Sequence, residues 1–203
     1  MQFGISLPNF LDGGDLCRIA AQADILGFES IWAGDHIVLA SEESYQYPYS
    51  TDGRFVMEPD TPHLEMMTLL SYIASHTKQI RIGSTVIILP YRNPILQAKM
   101  FASLDVLTKG RVICGVGVGW LEKEFEVLGA PYSKRGPMSS EYLEIFKCLW
   151  TESDPEYHGH FYSFDGIQLY PKPIQKPHPP IWMVAQSEHS IIHAATNGFN
   201  VLT

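Results

Sequence analysis

Basic residues are scarce: 14 Lys and Arg stand against 22 Asp and Glu, a formal net charge of -8. A nucleic-acid surface or an anionic membrane face needs clustered cations, so neither is an expected partner, and a small molecule is. Cysteine is scarcer still. Cys17, Cys114 and Cys148 are odd in number, far apart and without a CxxC pair, which argues against a disulfide framework or a zinc site. Nowhere do about 18 uninterrupted apolar residues occur, as a membrane span requires. The opening MQFGISLPNF has no basic segment ahead of a long apolar run, so no secretion signal is indicated and a cytoplasmic location is expected. A phosphate loop of the GxxxxGKS or GxxxxGKT type is also missing. A dinucleotide fingerprint fails at Trp120, where its third glycine should stand after Gly115 and Gly117.

What is present is an ordinary globular composition, 45% hydrophobic and 18% charged over 203 residues, enough for one sizeable core and one domain, 1–203. Short apolar runs alternate with helical periodicity. Phe3 to Leu7 reads as a strand, Asp15 to Leu26 as a helix stopped by Gly27, and Ser30 to Ala33 as a second strand. A long Tyr- and Pro-rich connection then reaches His63, and connections of that length usually serve as lids or binding loops. His63 to Thr77 returns to helical spacing, with Met66 and Met67 as core. Ile80 to Leu89 is the third strand, and Asn93 and Pro94 start a helix that runs to Lys109. Ser139 to Thr151 is amphipathic, and Asp165-Gly166 between two aromatic runs signals a hairpin of Phe161–Phe164 with Ile167–Tyr170. Ile181 to Ala185 is a strand, Ser187 to Gly198 a helix, and Asn200 to Thr203 begins another strand. This cadence implies parallel βα units.

The chain is organised around residues 111–136, RVICGVGVGWLEKEFEVLGAPYSKRG. A strand buried on both faces, Val112 to Cys114, leads into Gly115, Gly117 and Gly119. Glycines spaced this closely leave the backbone bare where a flat or anionic ligand must approach, so the strand end is a candidate floor; a crowded sheet corner explains them equally. Two smaller features lie toward the C-terminal side. His158 and His160 could share a strand face, though no third metal ligand lies nearby. Lys134 and Arg135 form a small basic spot suited to a phosphate or to a solvated turn.

GISLPNF at the N-terminus, SIWAGDH after the second strand, IRIGSTVIILPYRNP, LDVLTKGRVICGVGVGWLEKEFEVLGAPYSKRG and HGHFYSFDGIQLYPKPIQKPHPPIW together resemble the luciferase-like flavin and deazaflavin oxidoreductases. The resemblance implies an α/β fold, a TIM (β/α)8 barrel that a chain of this length would leave short after about six strands. It also implies an oxidoreductase that moves a hydride between coenzyme F420, a deazaflavin, or FMN and a small organic substrate, with monooxygenation open to the FMN form. A non-catalytic flavin-binding relative is the rival. A homodimer is compatible with this expectation.

By the same resemblance His36 would be the active-site acid or base, with Asp35 beside it near the cofactor ring. A histidine suits that task because it titrates near neutrality. Thr85 and Val86 match the place where relatives carry a non-proline cis peptide against the ring. Gly117, Val118 and Gly119 would give backbone contacts along the cofactor, and Ser187 would meet its phosphate at a helix N-terminus. Trp120 stands where sugar-phosphate dehydrogenases place a catalytic glutamate, and Val184 to Ser187 replace the paired glycines of many relatives, so the substrate stays open.

Overall fold

A computed structural model describes residues 1–41, 46–55 and 57–203; residues 42–45 and 56, all in the long connection, lie outside the described residues. In chain order the elements are β1 (Gly4–Ser6), α1 (Gly13–Ile25), β2 (Ser30–Ala33), α2 (Met66–His76), β3 (Arg81–Ser84), β4 (Ile87–Ile88), α3 (Pro94–Leu107) and β5 (Val112–Gly117). Then come α4 (Glu122–Leu128), α5 (Arg135–Thr151), the hairpin β6 (Tyr157–His158) and β7 (Ser163–Phe164), β8 (Ile181–Val184), α6 (Glu188–Thr196) and β9 (Asn200–Leu202).

The starts of α1, α2 and α3 have a local cause. Asp12 caps α1 by accepting from Gly14, and Glu65 caps α2 by accepting from Thr68. Asn93 caps α3 with Pro94 in its first turn, as the sequence predicts. α5 starts earlier than its apolar periodicity suggests, at Arg135, whose guanidinium lies 3.8 Å over the Tyr132 ring.

β1, β2, β3, β5, β8 and β9 pair side by side, all in parallel, into a curled α/β half-barrel. The third strand differs from expectation. It is broken into β3 and β4 around Thr85 and Val86, whose peptide is cis, and β4 then follows β5. Where β3 leaves the sheet, the Ser84 hydroxyl stands in for its backbone, accepting from Gly115 N (2.9 Å) and donating to Gly115 O (2.7 Å).

Inside the sheet, bulk is matched by missing bulk. Trp32 meets Trp182 edge-on with ring centroids 5.5 Å apart, and a Cβ on Gly83 would fall 2.3 Å from the Trp32 ring. On the outside, Phe101 of α3 and Phe146 and Trp150 of α5 are buried together, and the Trp150 indole donates to Ala98 O at 2.9 Å. Met66, Met67 and Cys114 are core residues, and burial pushes the Cys114 thiol pKa up.

Carboxylates fasten the connections. Asp24 accepts from the N–H groups of Lys78, Gln79 and Ile80, and Asp105 from those of Ile174 and Gln175. Glu141 accepts from His160, Phe161 and Tyr162. Glu141 also accounts for a correction: the hairpin forms one turn earlier than Asp165-Gly166 suggests, because this carboxylate on α5 holds residues 160–162 as the turn. His158 and His160 therefore do not share a strand face. His158 bonds Ser163 and Glu156, and the His160 ring packs on Phe161.

Candidate functional site

At the C-terminal ends of β2, β3 and β5 the chain places several of the predicted residues next to one another. The Asp35 side chain is fully buried, accepts a bidentate pair from Arg92 (2.7 and 2.8 Å) and takes the N–H of Ile88 at 2.9 Å. Arg92 also reaches Glu65 at 3.0 Å, so one guanidinium ties the β2 end to the start of α2. Burial works against the charge on Arg92, but Asp35 and Glu65 outweigh it and raise its pKa.

His36, beside it, points its Nδ1 at Glu124 Oε2, 2.8 Å away. Glu124 lies in the first turn of α4 with a side chain wholly removed from solvent. Its Oε1 accepts from the backbone N–H of Ile37 (2.6 Å) and Val38 (3.1 Å), and its Oε2 also accepts from the Tyr91 hydroxyl at 2.8 Å. Burial alone would raise the Glu124 pKa; the His36 contact and the two backbone donors more than offset it, so the net direction is down. Tyr91 is pushed up, by burial first and by Glu124 next, and remains a phenol donor.

The depressed value carries a pH signature. A carboxylate whose folded pKa is lowered stabilises the fold above its unfolded value, about 4.3, and that contribution disappears as pH falls through the lower folded value. Urea unfolding midpoints at pH 6 and pH 3.5 should therefore show an acid loss in the wild type that shrinks in Glu124→Gln. An unchanged acid loss in that variant would assign the sensitivity to other carboxylates.

An aromatic cluster leans on the imidazole. The rings of Phe55, Trp120 and His63 lie with centroids 5.1, 6.0 and 6.1 Å from His36, and Tyr47 joins Phe55 and Trp120 at 5.0 and 4.9 Å. Burial first, and His36 second, lower the His63 pKa. Phe55 and His63 of the long connection thus pack against His36, as residues of a binding loop would.

At the glycine-rich strand end the crowded corner and the cavity are both present. The bare backbone is met largely by the chain's own atoms: a Cβ on Gly115 would fall 1.8 Å from Ser84 O, and one on Gly117 2.4 Å from Val86 Cγ2. Gly119 has φ +82° and faces Ile88 and Phe125. Gly117 and Val118 do border a cavity of about 340 Å³, with Leu89, Ser139, Met183 and His193 among its other walls. The Ser139 hydroxyl is buried there without a hydrogen-bond partner. Asp35, His36, Thr85, Val86, Gly119 and Ser187 do not line this cavity. Ser187 instead closes a capping box with Ser190 at the start of α6.

Two groups therefore form. Asp35, His36 and the Thr85–Val86 corner meet at one rim, where Thr85 N donates to Ala33 O at 2.7 Å; Gly117 and Val118 belong to the cavity. Ile88 and Leu89 join them, since Ile88 N–H holds Asp35 and Leu89 lines the cavity. Sequence reading missed Glu124, Tyr91 and Arg92. Glu124 carried a legible sign, being a charged residue on the same helical face as Leu121, Phe125 and Leu128.

Comparison with known proteins points the same way. The model of the luciferase-like monooxygenase family matches residues 1–203. The oxygenase component of a flavin-dependent trigonelline monooxygenase from Acinetobacter baylyi is 31% identical over 189 residues, covering 92% of this chain and 46% of that protein. Among solved structures, the monooxygenase RslO1 from Streptomyces bottropensis superposes with a TM-score of 0.79 at 25% identity, over 100% of this chain and 59% of that one. An F420-dependent secondary alcohol dehydrogenase shares the fold at a TM-score of 0.70 and 23% identity, over 91% of this chain and 53% of that one. The chain spans about half the length of the curated relatives it matches.

Proposed function

Since this chain belongs to the luciferase-like monooxygenase family, we propose that it is an oxidoreductase moving a hydride between a tricyclic redox cofactor and a small organic substrate. Coenzyme F420 is the cofactor proposed; FMN is the alternative, favoured by the flavin-dependent relative at 31% identity. The observation that carries the reading is the rim itself: a histidine held through a buried carboxylate, beside a buried Asp35–Arg92 pair, at adjacent open strand ends. Parallel α/β barrels keep their chemistry at that end of the strands.

The cavity residues fit such a ring. Gly117 presents backbone rather than side chain, and Leu89, Val118 and Met183 give apolar walls. When bound, the ring would accept or donate the hydride and its two electrons. His36 would take the proton that an alcohol oxygen gives up as its carbon loses hydride and becomes a carbonyl, or return it in the reverse sense. Asp35, locked by Arg92 and Ile88, keeps the His36 backbone in place, and the aromatic cluster excludes water from that side. We place the protein in the cytoplasm with a small-molecule substrate, acting alone or as a homodimer.

Titrating the purified chain with F420 and with FMN, followed by visible absorption and by reduction with a matching donor, tests this. Saturable spectral change with one ring compound and its reversible reduction is the expected result. Binding without reduction or reoxidation would favour a non-catalytic flavin-binding protein, and no binding of either would remove the proposal.

A further inference from the structure

Glu124 can accept hydrogen bonds but cannot donate them while it is ionised, and the structure gives it every reason to be ionised. Three donors independent of His36 converge on it: the N–H groups of Ile37 and Val38 and the hydroxyl of Tyr91. Its residue is 1% exposed, so no solvent competes for those bonds. A carboxylate so surrounded offers only lone pairs to a fourth neighbour, and that neighbour is His36 Nδ1 at 2.8 Å. In a neutral imidazole one nitrogen carries the hydrogen and the other a lone pair. Nδ1 facing an anionic acceptor must carry the hydrogen.

We propose that Glu124 is the positioning residue of this site: it fixes a proton on His36 Nδ1 and leaves Nε2 as the atom that exchanges a proton with the substrate. The inference rests on the proposed oxidoreductase function only for what Nε2 then does. The other groups facing the imidazole do not reverse it. Asp35, from the same strand end, is occupied by Arg92 and Ile88; His63, from the segment before α2, is turned toward its neutral form by burial; Tyr91, from the turn after β4, donates to Glu124 rather than to the ring. The direction of the Glu124 pKa agrees with the geometry. The arrangement also divides labour between two neighbouring acids, since Asp35 fixes backbone and Arg92 whereas Glu124 fixes which imidazole nitrogen is basic.

Glutamine at position 124 separates charge from shape. Its carbonyl can keep Ile37 and Val38, but its amide NH2 then faces His36 and forces Nδ1 to accept, which moves the ring hydrogen to Nε2. Long-range 1H–15N spectra of histidine-labelled protein near pH 8 read the tautomer directly, without any cofactor. The expected result is the Nδ1–H form in the wild type and the Nε2–H form in Glu124→Gln, with kcat lower by up to about 10⁴-fold, the loss that follows when a catalytic imidazole is held in the wrong tautomer. KM and the cofactor Kd should stay within about threefold. Tyr91→Phe, which removes one donor without touching the imidazole, should keep the Nδ1–H form. An Nε2–H wild type, or an inverted Glu124→Gln that turns over at the wild-type rate, overturns the proposal. Should Glu124→Gln fail to fold, the wild-type and Tyr91→Phe spectra still decide it. Failure of the wild type to bind either ring compound would count against the oxidoreductase function and leave the tautomer assignment standing.

Discussion

On the proposed function, replacing His36 with alanine is expected to lower turnover by about 10²–10⁴-fold, the range that one general acid or base contributes, while the cofactor Kd should move by less than about threefold. The split follows from where the residues sit. His36 meets Glu124 and the aromatic cluster, whereas the cavity bordered by Gly117 and Val118 contains no atom of it. Folding should survive, because Glu124 keeps Ile37, Val38 and Tyr91 as donors when the imidazole is gone. Steady-state kinetics alongside a spectral titration measure both quantities on one preparation. Unaltered kcat would show that the proton passes elsewhere, and a matching loss of cofactor affinity would show that His36 shapes the cavity after all.

Replacing Asp35 with alanine is expected to be the most destabilising change at the rim. Breaking one partner out of a buried ion pair costs about 3–5 kcal/mol, because the remaining charge is left without compensation. The low end, about 3 kcal/mol, is expected because Glu65 still faces Arg92. Ile88 N–H loses its acceptor as well. For a chain of this size that corresponds to a fall in Tm of roughly 6–12 °C. Asp35→Asn, which keeps an acceptor for Ile88 but removes the charge, should lie between. A fall in Tm under about 2 °C for Asp35→Ala would mean that solvent or Glu65 takes over the guanidinium, and that the pair does not organise the rim.

Much of the fold was legible because its determinants are local. Asn93-Pro94 starts α3 as read, Ser30–Ala33 is β2, and the apolar run after Arg111 is β5. Family likeness located the cis peptide that breaks the third strand, which STVII alone would render as an uninterrupted one. Misreadings arose where a distant group decides. The Asp165-Gly166 pair carries a strong turn signal, and Gly166 does take φ +61°, but a carboxylate about twenty residues upstream holds the preceding turn and sets the hairpin there. The bare glycines of β5 drew attention to a ligand, yet their neighbours are Ser84 and Val86, which lie about thirty residues earlier. Ser187 does stand at a helix N-terminus, as the likeness implies, where its hydroxyl caps α6. Glu124 stayed hidden because its partners come from β2 and from the turn after β4, separations that no local pattern records.

The Ser84 hydroxyl has a wider effect than its two bonds suggest. A strand that departs from a sheet normally leaves an amide and a carbonyl of its neighbour unmet, and such losses propagate as fraying. Here a single side chain mends both gaps on Gly115. The sheet below the corner is thereby kept whole across the departure of β3, and β4 can resume pairing with β5 at Val116 and Gly117 in the same parallel sense.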